Sequence, residues 1–235
     1  MALILRADVD KPFGNSSFTR RVMSKFSEDI ATYYCPSMGY LSHLEKFLTF
    51  CNKNNISGYI YFRICTRPSE IVKELMIAGG HKAGMHAEDT RTFESFSGEL
   101  ETLKKISGMS FSTFTKHGSG ELKLGKYHYP VYEPDRYSEW AKTSGCGFHF
   151  GNMIASSPED IENRNGFYSH MFWIEKDYRN KGFDKIEDLV ELAKKKDIPV
   201  LIHPCNFISS AETRSEFIKL VELAKLENVN WILPY

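Results

Sequence analysis

No CxxC pair occurs anywhere in the 235 residues, and the five cysteines (Cys35, Cys51, Cys65, Cys146 and Cys205) are widely scattered. Neither a zinc knuckle nor a dithiol redox site is written in the chain. No stretch approaches the roughly 20 consecutive apolar residues of a membrane span, so membrane insertion is not expected. The opening MALILRADVD has no basic n-region, no long apolar run and no small-residue cleavage site. The chain therefore reads as cytoplasmic, with reduced thiols. Net charge is missing as well: 30 Lys and Arg balance 30 Asp and Glu, leaving no electrostatic pull toward nucleic acid or an anionic membrane. There is no GxGxxG after the first apolar burst and no GxxxxGKS/T anywhere, which removes the best support for dinucleotide and nucleoside-triphosphate sites.

What remains is an ordinary globular composition, 42% hydrophobic and 26% charged, on a chain long enough for one sizeable core. Apolar bursts alternate with amphipathic stretches. ALILRADVD (2–10) reads as a buried strand ending in carboxylates. YLSHLEKFLTFCNKNN places Leu41, Leu44, Leu48 and Cys51 on one helical stripe, with Ser42 and Glu45 at capping-box spacing. SGYIYFRIC is a second strand, and RPSEIVKELMIAG a helix that stops at Gly79-Gly80. HKAGMHAED, MSFSTFTKHG, CGFHFGNMI, FYSHMFWI and IPVLIHPCNF are further strands. FESFSGELETLKKISG, FDKIEDLVELAKKKD and AETRSEFIKLVELAKLEN are helices between and after them. Residues 118–145, rich in Gly, Pro and Tyr and without clear periodicity, read as a loop excursion over an active site.

Strands that alternate with helices favour parallel pairing with the helices outside. Seven or eight βα units in this length fit a closed α/β barrel, one domain over 1–235, better than an open sheet. Chemistry in such a barrel sits at the C-terminal strand ends. Those ends carry Asp8 and Asp10, then Arg63, then His86-Glu88-Asp89, then Lys116-His117, then His149 and finally His203. Two carboxylates at i and i+2 face one side if the strand stays extended, so one can hold a metal while the other serves as a base. His86 can give the same metal a neutral nitrogen. Taken singly, each residue has a plainer role: Asp8 and Asp10 can cap a turn, and His86 can be a satisfied core histidine. His81 fits the start of its strand, away from the site, and His43 and His128 fit surface or packing positions. Convergence of three independent strand ends favours a site.

RADVD, GGHKAGMHAED and VLIHP together resemble the polysaccharide deacetylases, or carbohydrate esterase family four, which include nodulation-factor and peptidoglycan deacetylases. The resemblance implies a distorted (β/α) barrel and metal-dependent hydrolysis of an N-acetyl group on a sugar. It implies Asp8 as general base, Asp10 and His86 as metal ligands and His203 as general acid. Gly80, His81 and Gly84 match the family's G-H-x-x-G step. The motifs run in order from residue 8 to residue 203. Two departures stand out. Thr90 occupies the position of the family's second metal histidine, leaving Asp89, Glu88 or His117 to complete the site, with Asp89 the first choice. The arginine motif is also absent, and STFTKHGSGE offers Lys116 and His117 instead.

The expected activity is thus a metal-dependent, zinc-type deacetylase acting on an amino sugar or glycan precursor, with Arg63, Lys116, His117 and Tyr129 as substrate contacts. A barrel phosphoesterase is the enzyme rival, although such enzymes carry HxH on the first strand, where this chain has Asp-Val-Asp. A catalytically inactive carbohydrate-binding barrel using Tyr127, Tyr129, Tyr132 and Trp140 is the rival from another class.

Overall fold

The computed structural model describes residues 1–10, 40–118 and 127–235, together with Thr19 and Val22. Seven parallel strands form the framework: β1 (Ala2–Asp8), β2 (Gly58–Phe62), β3 (Lys82–Ala87), β4 (Thr113–Lys116), β5 (Phe150–Ile154), β7 (Phe167–Trp173) and β8 (Ile198–Ile202). A two-residue strand, β6 (Asn163–Arg164), lies antiparallel on β7, and a two-residue β9 (Asn230–Trp231) lies parallel on β1. The spatial order is β4-β3-β2-β1-β8-β7-β5. The two ends of this series meet through a parallel bridge, Thr113 to Gly147, in which Phe114 N donates to Gly147 O at 2.8 Å. The result is a nearly closed barrel, as the alternation of strands and helices predicts.

β1, β2 and β8 are buried at every position, the condition of strands covered on both faces. The covering helices are α1 (Tyr40–Lys53), α2 (Glu70–Ala78), α3 (Phe93–Ser107), α4 (Pro134–Ser144), α5 (Ile186–Ala193), α6 (Pro204–Ser209) and α7 (Ala211–Leu226). Their apolar stripes follow the helical period: Leu44, Leu48 and Cys51 of α1, and Ile186, Leu189, Val190 and Ala193 of α5, are all buried. Phe47 contacts Phe207 at 5.3 Å and Phe217 at 5.6 Å between ring centroids, joining α1, α6 and α7. Cys51, Cys65, Cys146 and Cys205 are buried free thiols, and Cys35 lies outside the described residues.

The barrel interior is filled by aromatic side chains. Phe150 packs on Tyr59 and Tyr61 at 5.4 and 6.5 Å, and Arg6 lies over the Tyr61 ring at 5.5 Å. A Cβ on Gly84 would sit 2.3 Å from the Tyr61 ring, so the second glycine of the G-H-x-x-G step is what admits that tyrosine. The first, Gly80, ends α2 with φ +63°, a conformation that glycine adopts without a steric penalty. His81 then anchors the base of β3. Its Nδ1 accepts from Gly58 N at 3.1 Å and its Nε2 lies 2.8 Å from Asn52 Oδ1, far from the strand ends that concern chemistry.

Two local expectations need correction. Helix α1 begins at Tyr40, so Ser42 lies inside it rather than capping it. The stretch 118–145 is not a continuous loop, because α4 occupies 134–144. Pro134 opens that helix where its missing N–H costs nothing, Tyr137 and Trp140 bury one face, and Gly145 closes it at φ +66°. Residues 119–126 of the excursion lie outside the described residues.

Candidate active site

The polar strand ends open into a cavity of about 500 Å³. Asp8, the last residue of β1, is only 2% exposed and is gripped by Arg6 from the same strand. Arg6 Nε donates to Oδ1 at 2.8 Å and Nη2 to Oδ2 at 2.6 Å. The guanidinium also donates to Gly151 O at 2.7 Å and Asn152 Oδ1 at 3.0 Å. Burial raises the Asp8 pKa, but the charges of Arg6 and His86 outweigh it and bring the carboxyl down to about 2. The chain does not stay extended past Asp8. Asp10 N donates to Asp8 O at 3.0 Å, closing a tight turn at Val9. The premise of one extended face is therefore replaced by a turn, yet both carboxylates still line the cavity.

His86, near the end of β3, is also 2% exposed. Its Nδ1 lies 2.8 Å from Thr115 Oγ1 and its Nε2 3.5 Å from Asp8 Oδ2. His117 follows β4 directly, and its ring meets that of His86 at 4.9 Å. His117 Nδ1 is buried without a hydrogen bond, 3.4 Å from Asp10 Oδ1. One carboxylate oxygen of Asp10 and one ring nitrogen each of His86 and His117 all lie within 4.8 Å of one another. This group could bind a metal ion, and its chemistry fits one. A carboxylate and two imidazoles suit zinc and similar divalent ions. Burial, the main cause, lowers the His86 pKa to about 3 and that of His117 well below the usual range, keeping both rings in the neutral, ligating form.

Across the cavity stands His203, the residue after β8. Glu175, two residues past β7, accepts from His203 N at 2.9 Å and Nδ1 at 3.0 Å, and from Asn206 Nδ2 at 3.2 Å. His203 Nε2 points to Asp10 Oδ2 at 3.7 Å. Burial disfavours the charged ring, but Glu175, Asp10 and Asp8 overcome it and raise its pKa to about 9. Near neutral pH the cavity thus holds an ionised Asp8, two neutral imidazoles and a protonated His203.

The structure brings Asp8, Asp10, His86, His117 and His203 together, and gives the other sequence-based candidates partners of their own. Asp89 bonds Arg91 through both carboxylate oxygens, while its N–H donates to Glu99 at 3.0 Å. Thr90 is buried 3.2 Å from Tyr137 Oη. Arg63 is 2% exposed, with Nη2 on Glu88 Oε1 at 2.5 Å and Nη1 3.6 Å from Asp10 Oδ1. Lys116 is fully buried, donating to His117 O at 2.6 Å beside His128 Nε2 at 3.0 Å, and burial lowers its amine to about 8. Tyr129 is tied to the strand end through its N–H, which donates to Glu88 O at 2.9 Å. Of the four expected substrate contacts, His117 lines the cavity and Arg63, Lys116 and Tyr129 do not. Sequence reasoning missed Arg6, Asn152 and Glu175. An arginine inside an otherwise apolar strand, two residues before an aspartate, was the available signal for the first.

No protein-family model matches the sequence, and a search of curated protein sequences returns no match. Solved structures do match. A chain described as a probable polysaccharide deacetylase from Pseudomonas aeruginosa aligns over 99% of this chain and 87% of its own, with TM-score 0.52 and 13% identity. A CE4 family pseudoenzyme from Bacillus anthracis aligns over 98% of this chain at TM-score 0.46 and 11% identity, and this chain spans 63% of that protein's length. The catalytic domain of a peptidoglycan N-acetylglucosamine deacetylase from Eubacterium rectale aligns over 99% of this chain and 88% of its own at TM-score 0.46 and 10% identity. The barrel therefore has the fold seen in the Pseudomonas protein.

Proposed function

We propose that this chain is a divergent member of the polysaccharide deacetylases and removes an N-acetyl group from an amino sugar or glycan precursor, with zinc as its metal. One observation carries the reading: the Asp10–His86–His117 group lies in one cavity with Asp8 beside His86 and His203 beside Asp10. A metal held by Asp10, His86 and His117 supplies Lewis-acid polarisation of the amide carbonyl.

The protein's own residues do the proton work. Asp8 accepts a proton from the attacking water, and Arg6 fixes the orientation of its carboxylate. The water oxygen adds to the carbonyl carbon. As the C–N bond breaks, His203 passes a proton to the departing amine through Nε2, because Nδ1 is committed to Glu175. Acetate and a free amino sugar leave. Two titratable groups whose surroundings push their pKa values apart are what acid–base hydrolysis requires.

Elemental analysis of the purified protein, with acetate release from N-acetylglucosamine oligomers, tests the proposal. The expected result is about one zinc per chain and metal-dependent acetate release, lowered by about 10²–10⁴-fold in His203→Ala. A protein that takes up no divalent metal would sink it and favour the inactive carbohydrate-binding barrel.

A further inference from the structure

Behind the wall that carries Glu175 lies a buried cation with no part in the proton transfers just described. Arg179 follows a short 3₁₀ turn, Lys176–Tyr178, and folds back under it. Its side chain is only 1% exposed. Nε donates to Trp173 O at 2.7 Å and Nη2 to Ile174 O, the two carbonyls immediately before Glu175. Nη1 donates to Asp184 O at 2.7 Å and to Glu216 Oε2 on α7 at 2.6 Å. The guanidinium also lies 4.7 Å over the Phe172 ring.

These bonds join two separate parts of the cavity. Lys176, Asp177 and Tyr178 line one part of the cavity wall, and Ser210, Glu212 and Thr213, at the start of α7, line another. The exposed pair Lys176–Glu212, at 3.6 Å, spans the same two elements at the rim, where solvent screens it. Arg179–Glu216 is the buried counterpart. A planar guanidinium holding three main-chain carbonyls and a carboxylate in fixed directions cannot be replaced by the single point charge of a lysine. A buried arginine is tolerated only when its donors are satisfied in this way.

We infer that Arg179 is a positioning residue: it fixes the Trp173–Glu175 backbone so that Glu175 meets His203, and through Glu216 it sets the separation of the two cavity walls. The role of His203 in this inference rests on the deacetylase reading; the geometry of the Glu175–His203 pair does not.

Arg179→Met, Arg179→Lys and Glu216→Ala test it. The Nδ1–H proton of His203 is followed by NMR, zinc stoichiometry by elemental analysis, and acetate release from N-acetylglucosamine oligomers by steady-state kinetics. Arg179→Met should shift or broaden the His203 proton and lower kcat by about 10–100-fold, the scale set by small misplacements of a catalytic group. It should leave zinc stoichiometry unchanged, because the metal group stands on β1, β3 and β4. Arg179→Lys should recover only part of the lost rate. Glu216→Ala, which keeps the main-chain bonds and cuts the tie between the walls, should raise KM more than it lowers kcat. Arg179→Met with an unchanged His203 proton would overturn the inference. If Arg179→Met does not fold, an unshifted proton in Arg179→Lys together with an unchanged KM in Glu216→Ala would overturn it equally. A wild-type protein without deacetylase activity defeats the proposed function but leaves the NMR test of Arg179 standing.

Discussion

The cavity has two sides, and each carries histidine in a different state. On the side of β1, β3 and β4, His86 and His117 are buried against one another, and their pKa values are driven down. On the side of β7 and β8, His203 is somewhat more exposed, at 14% of its side chain, and its pKa rises to about 9. Burial is the leading influence on all three rings, so it cannot explain the difference. Neighbours do. His86 Nδ1 faces a neutral hydroxyl, and Arg6 and Arg63 oppose the pull of the nearby Asp8 carboxylate on its protonation, whereas His203 Nδ1 is hydrogen-bonded directly to the Glu175 carboxylate. In this cavity the hydroxyl partner goes with a neutral ring suited to ligate, and the carboxylate partner with a protonated ring suited to donate.

The largest expected effect breaks one side only. Asp10→Ala or His86→Ala should lower zinc affinity by more than about 100-fold, beyond the loss seen when an outer partner of a ligand is removed. Glu175→Gln should retain the metal. Competition with a chelating dye measures both, and equal losses in the two variants would erase the distinction between the sides.

Next in size is the charge on His203. In metal-free protein, Glu175→Gln should move the His203 pKa down from about 9 by about 1–3 units, as loss of a close opposite charge does. NMR titration of the imidazole C–H protons reads it. The sign carries over to stability. The raised pKa contributes stability that is fully present below the unfolded value near 6.5 and is lost as pH rises toward 9. Wild-type melting temperature should therefore decline across that window more steeply than that of Glu175→Gln.

Smaller still is Thr115→Val, which leaves His86 Nδ1 without its partner. Zinc affinity should fall by about 10-fold, with the His203 pKa unmoved. Smallest is Asp89→Ala. Asp89 is engaged with the exposed Arg91, and pairs of this kind contribute about 0–1 kcal/mol, so zinc affinity should stay within about twofold. A large loss there would return Asp89 to the ligand set.

The contrast between Asp89 and His117 shows where sequence reading reaches and where it stops. Strand-end carboxylates and histidines such as Asp8, Asp10, His86 and His203 are legible because an apolar run ending in polar residues marks its own tip. Helical stripes such as Leu44–Leu48–Cys51 are legible for the same local reason. His117 stood second to Asp89 because the distance from His86 was counted along the chain. The pairing of β3 with β4, which sets His86 opposite Thr115, brings His117 in from 31 positions away. Arg91, two residues past Asp89, is a competitor that spacing alone does not weigh. Arg6 was obscured in another way: it sits in an apolar strand, and its partners Gly151 and Asn152 come from β5. Helix α4 was hidden by its short apolar face, Tyr137 and Trp140, among glycines, prolines and tyrosines.

Arg6 and Asp8 stand two residues apart on β1, whose pairing with β8 sets Leu5 opposite Val200 and Ala7 opposite Ile202. Side chains alternate along a strand, so the pair points inward or outward together. A slip of β1 by a single residue would turn both charges into the apolar layer beneath the helices and present Leu5 and Ala7 to the cavity instead. No partly assembled version of this couple exists between those two registers. Misregistered chains thus lose the buried ion pair and are strongly disfavoured at once, and the carboxylate at the strand tip acts as a proofreader of the sheet that carries it.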